Sequence, residues 1–181
     1  MRTIQEAAPS HLSWQQPQAF KCAYELRAGD ELLGALRKTR KFGAAMEAEI
    51  GGTRYTFEPA GFFRSRVTVR EAGAAGEPAV FQSGFCGGGQ LLLPDGRSYR
   101  WKMTSFWGSR WTFLDDSDRP LVSLRPRNRV FRTGSEVEIA PGALRMPELP
   151  VLVLLGWYLL LRINQESAAA AAVIAAVAVS A

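Results

Sequence analysis

Eleven consecutive residues, Val151 to Leu161, carry no charge within the stretch PVLVLLGWYLLLRINQ that begins at Pro150. As a helix rising ~1.5 Å per residue they extend about 16 Å, whereas a bilayer core is ~30 Å thick and needs about 20 such residues. Leu149 and Ile163 do not close that gap, because Arg162 intervenes and Asn164, Gln165 and Glu166 follow. The segment is too short to span. It is equally unsuited to a protein surface, since Val, Leu, Trp and Tyr fall on every side of it, and a helix apolar all round has to be enclosed. The remainder of the chain must supply a sleeve.

From Phe20 onward the sequence breaks into short segments separated by turn residues. KCAYELRA, ELLGALRK, AAMEAEI, TRYTFEPA, FFRSRVTVRE and PAVFQSGF have the character of strands, followed by GQLLLP, RSYRWKMT, SRWTFLDD, PLVSLRPR, RVFRTG and EVEIAP. In FRSRVTVRE the period is two: Phe63, Ser65, Val67 and Val69 share one face, and Arg64, Arg66, Thr68 and Arg70 the other. Tyr99, Trp101 and Met103 are likewise opposed to Arg100, Lys102 and Thr104. Ala28-Gly29-Asp30, Gly51-Gly52, Pro94-Asp95-Gly96 and Asp115-Asp116-Ser117-Asp118 sit between these segments at hairpin spacing. GFCGGGQ, from Gly84 to Gln90, lacks the Lys-Ser/Thr ending of a phosphate loop and fits a bend between strands.

About twelve antiparallel strands closed on themselves leave a lumen wider than their own side chains fill, and a helix ~10–12 Å across plugs it. Closure also removes the exposed edges of the sheet. The fold class expected is therefore mainly β: a closed antiparallel barrel around one buried C-terminal helix. Residues 1–18 are expected to form a polar leader, 19–165 the barrel with its helix over about 147–163, and 166–181 an Ala-rich tail that packs on the barrel's end, meets another surface, or frays. The leader has no apolar run of the kind a secretory signal needs.

This order of elements, opened by YELRAGDELLGALRK and closed by MPELPVLVLLGWYLLLR, resembles the superfamily of tubby C-terminal domains, phospholipid scramblases and LURP-one-related proteins, which includes many bacterial members. The likeness covers roughly Phe20 to Gln165. It implies a small barrel around a buried helix, used by tubby-like members to bind phosphoinositide headgroups and associated in scramblase-like members with membranes and calcium. The acidic calcium segment of the latter has no counterpart here, because GSEVEIAPGALRMPE scatters Glu136, Glu138 and Glu148 among apolar residues.

Chemistry narrows the function further. The single histidine, His11, lies in the leader, so no Ser or Cys has an imidazole to activate it. Cys22 and Cys86 are too far apart in sequence for a CxxC metal or redox motif and are expected as two buried free thiols in a reducing compartment. Asp115, Asp116 and Asp118 lack the Gly and distal Glu of an EF-hand and fit a turn. A non-catalytic module without metal or cofactor is expected, cytoplasmic and peripheral to a membrane, the alternative being a scramblase-type protein anchored by its C-terminal segment.

The net charge of +5 admits an anionic membrane surface as partner. RKTRK places Arg37, Lys38, Arg40 and Lys41 together, and RPRNRVFR adds Arg127 and Arg129 among others. If the barrel joins the two runs, these six can receive a phosphorylated headgroup, since guanidinium forks match phosphate oxygens; otherwise they are a solvated exterior. Nucleic acid is disfavoured because Trp101, Trp107 and Trp111 are expected to pack inside instead of stacking on bases.

Overall fold

The structure, a computed structural model, describes residues 3–7, 11–19, 21–39, 45–60, 65–105, 110–129 and 132–179, with the backbone alone at residues 85, 128, 129, 132 and 173–179. A short helix α1 (Ile4–Ala7) precedes β1 (Leu12–Gln15), β2 (Ala23–Ala28), β3 (Glu31–Lys38), β4 (Met46–Ile50), β5 (Thr53–Ala60) and β6 (Arg66–Glu71). Then come β7 (Ala79–Ser83), β8 (Gly89–Leu92), β9 (Ser98–Met103), β10 (Trp111–Leu114), β11 (Pro120–Arg129), β12 (Arg132–Ile139) and the long helix α2 (Leu149–Val179). Each strand pairs antiparallel with its sequence neighbour, and β1 closes the barrel by pairing with both β2 and β12.

Alternation sets the two faces. Val67 and Val69 of β6 are buried while Arg66 and Arg70 are exposed; Tyr99 and Trp101 of β9 are buried, whereas Met103, at the strand's end, is 48% exposed. Phe63 and Arg64, assigned to opposite faces of the same strand, lie outside the described residues, as does Trp107. The turns fall where the sequence places them. Gly51 and Gly52 have φ of 58° and 83°, the pair of positive angles that a two-residue hairpin of the strands' own twist requires.

The sleeve is complete around α2. Successive helix residues point about 100° apart, and three in a row meet three sides of the wall. A Cβ on Gly156 would touch Leu124, Trp101 and Phe113, from β11, β9 and β10. The Trp157 ring packs on Trp14 and Tyr24, from β1 and β2, and Tyr158 stacks on Phe57 of β5. Leu152–Leu155 and Trp157–Leu161 are all at most 5% exposed.

Several expectations need correction. The barrel does not begin at residue 19: β1 lies within the supposed leader, with Leu12 and Trp14 inside the barrel, and Ile4 and Ala7 of α1 are buried too. Two apolar residues on a four-residue strand are too weak a signal to stand out from the polar residues around them. RVFRTG and EVEIAP are not two strands; Arg132–Ile139 is one, paired along its length with β11. One strand gained and one lost leave the count at twelve.

The tail is not separate either. α2 runs unbroken for 31 residues, since alanine favours helix and no Gly or Pro follows Gly156. Pro150 stands in its first turn, where its missing N–H costs nothing. Burial nevertheless stops where expected: Arg162–Asn164 are half-buried and Gln165–Ala172 exposed. Cys22 and Cys86 are free but exposed, not buried, because Cys22 precedes β2 and Cys86 sits in the turn between β7 and β8. Among the described residues no helix is long and apolar enough to cross a membrane, which leaves the anchored alternative without support.

Candidate functional site: the rim where the helix leaves the barrel

Strand register identifies one end of the barrel. Lys38 is opposite Met46, Ala23 opposite Arg37, and Gln15 opposite Glu25; on the far wall Arg127 faces Gly134 while Trp14 faces Ser135. All these positions share the rim from which α2 emerges. Between helix and wall a cleft of about 500 Å³ opens, lined by Cys22, Lys38, Met46 and Pro59 from the barrel and by Leu161 and Arg162 from the helix.

Arg37 and Lys38 are neighbours in sequence but not in space. The two-residue period that buries Leu36 sends Arg37 to the outer wall, directly opposite Glu47, and brings Lys38 to the cleft. Arg40 and Lys41 lie outside the described residues.

Arg127 belongs to a different environment. Its guanidinium is 2.5 Å from the Glu136 carboxylate, which also contacts His11 Nε2 at 3.0 Å. The hydrogen bond with His11, reinforced by the charge of Arg127, holds Glu136 below the usual carboxylate range. Arg129 lies two residues farther along β11, where only the backbone is described.

The three whose side chains are described, Arg37, Lys38 and Arg127, therefore do not converge. From β3 to β11 the wall crosses β2, β1 and β12, four inter-strand steps or about 19 Å along its surface. That separation exceeds one headgroup. Among the described ones, Lys38 lines the cleft. Its companion there, Arg162, is in the sequence only the charge that ends an apolar run. In the structure it is 16% exposed and bridges Glu166 one turn on at 3.1 Å. The signal for it was positional, since a cation directly after an enclosed apolar segment must stand at the mouth of the enclosure.

The acidic positions are structural where they are seen. Asp115 accepts the backbone N–H groups of Ser117 and Arg119 and pairs with the Arg119 side chain, closing the β10–β11 turn. Asp118 pairs with Arg100 at 3.1 Å and Lys102 at 3.0 Å. Among the described residues no three His, Cys, Asp or Glu side chains gather as a metal set. The cleft has an apolar wall, Lys38, and Arg162 paired with Glu166, a net charge of one cation that suits an amphiphilic anion. Its described groups include no paired nucleophile and base.

No protein-family model matches the chain, and no curated protein does. Among solved structures it is similar to the X-ray structure of a protein from Arabidopsis thaliana, AT5G01750, with a TM-score of 0.51 and 14% identity over 82% of this chain and 90% of that one. At that identity the likeness is one of fold: a β-barrel shared with a plant protein.

Proposed function

We propose that this chain is a non-catalytic barrel module of the tubby-like, LURP-one-like kind, and that it binds anionic phospholipid at the rim where α2 leaves the barrel. The observation that carries this reading is the cleft itself. Lys38 offers positive charge beside Met46, Pro59 and Leu161, with Arg162, itself paired with Glu166 of the same cleft, next to it, which matches a phosphate ester joined to an acyl chain. The fold likeness supports the architecture, and the ligand rests on the cleft.

Vesicle co-sedimentation tests it. Vesicles containing phosphoinositide should retain the protein better than phosphatidylserine vesicles of matched charge, and added salt should weaken binding. Lys38→Ala should cost about fivefold, as expected for one cation of ~1 kcal/mol near an anionic surface. Arg54→Ala, on the outer wall opposite Glu49, is the reference. Equal binding to both lipids, or equal losses in the two variants, overturns the reading.

A further inference from the structure

The cleft at the rim carries an anion of its own. Among the described residues that line it, Glu166 is the one carboxylate, and its Oε1 accepts from Arg162 Nη2 at 3.1 Å. The two ends of this pair are unequal. Arg162 is 16% exposed and stands where the wall still encloses α2, whereas Glu166, one turn farther out, is 67% exposed. The guanidinium is fixed in the cleft, but the carboxylate can rotate into water at little cost in hydration. The order of charges also weakens the pair, since a cation followed by an anion four residues later is the less favourable arrangement along a helix. Glu166 is thus a partner that Arg162 can exchange.

We propose that Glu166 is a specificity-determining residue of the lipid cleft, an internal stand-in for phosphate that a headgroup must displace to reach Arg162. This inference rests on the lipid reading above. An incoming group gains at Arg162 only the difference between its own bond and the one that Glu166 already makes. A carboxylate or a phosphodiester brings a single negative charge, as Glu166 does, and exchanges like for like. A phosphomonoester carries about −1.5 to −2 at neutral pH, with three acceptor oxygens. That is enough to displace the carboxylate and to engage Arg162 in addition to Lys38. The cleft therefore selects amphiphiles that end in a phosphate monoester over those whose phosphate is a diester, and Glu166 sets the preference.

Co-sedimentation of the full chain with vesicles of phosphatidic acid and of phosphatidylglycerol, at matched surface charge, tests the proposal, because the first lipid ends in a phosphomonoester and the second carries only a diester. The unchanged chain should bind phosphatidic acid about fivefold more tightly, the effect of engaging one further cation near an anionic surface. Glu166→Gln frees Arg162 for either lipid, so it should raise affinity for phosphatidylglycerol by about the same fivefold and reduce the preference to about twofold or less. Glu47→Gln, which removes an equal charge from the outer wall opposite Arg37, is the control and should leave the preference as it was. Equal effects of the two substitutions, or a preference that survives Glu166→Gln, overturn the role of Glu166; where Lys38→Ala still weakens binding, the lipid reading stands without it. Failure of the unchanged chain to bind either vesicle overturns both.

Discussion

Trp14 and Trp157 stack with ring centroids 5.8 Å apart and planes inclined by 7°. The first belongs to a four-residue strand near the N-terminus, the second to the enclosed helix more than a hundred residues later. This contact ties the closing strand of the barrel to its plug, so wall and core form as one cooperative unit. Trp14→Ala should lose about 3–5 kcal/mol, the range for truncating a buried aromatic. Deleting residues 1–18 should be worse, because β2 and β12 would each present an open edge. Urea denaturation followed by tryptophan fluorescence measures the first, and cooperative melting of the truncated chain would count against the second.

Leu155 is fully buried on α2. Leu155→Asp places an unpaired carboxylate inside the barrel, at several kcal/mol, and should prevent folding. Recovery of this variant with a cooperative melt would show that the helix is not the core.

The wall approaches α2 tightly at Gly156: a Cβ there would lie 2.8 Å from Leu124 Cδ1, and Leu124 is itself fully buried. Valine at an ordinary helix position gains over glycine. Here Gly156→Val should instead cost about 1–3 kcal/mol by overpacking, visible as a lowered Tm.

Burial, with a smaller contribution from Cys22, pushes the Tyr24 phenol from 10.0 up to about 12; burial, with Glu71, does the same for Tyr55. Both groups are more easily ionised in the unfolded chain. Their contribution to stability is thus complete below pH 10 and is lost as pH rises toward about 12. Phenolate absorbance should appear late in the native protein and near the ordinary value in denaturant. Coincident titrations would refute the burial of both rings.

Glu136 titrates in the opposite direction. Its carboxylate is held low by His11 and then Arg127, so its contribution is present above the unfolded carboxylate pKa and is lost as pH falls through the depressed folded value. Glu136→Gln should flatten the acid limb of the stability curve and leave the alkaline limb unchanged. Melting temperatures across pH compare the two.

The sequence by itself determined the class of fold. An apolar segment too short to span and too uniform for a surface required an enclosure, and strands of period two with turn residues between them could provide it. Both are local signals, readable within a few residues, and for the same reason the end of burial at Leu161 and the turns at Gly51-Gly52 and Asp115–Asp118 were legible. Closure too was legible, as the only way to enclose the helix, but the strand that completes it was not, because that depends on pairing between β1 and β12, residues far apart in sequence whose register no local pattern encodes. Nor was the site. Whether Lys38 reaches a cleft while Arg37 faces Glu47, or whether Arg127 spends its charge on Glu136, follows from which strand lies beside which. A one-residue step along a strand reverses the face, and only the assembled barrel decides what that face meets.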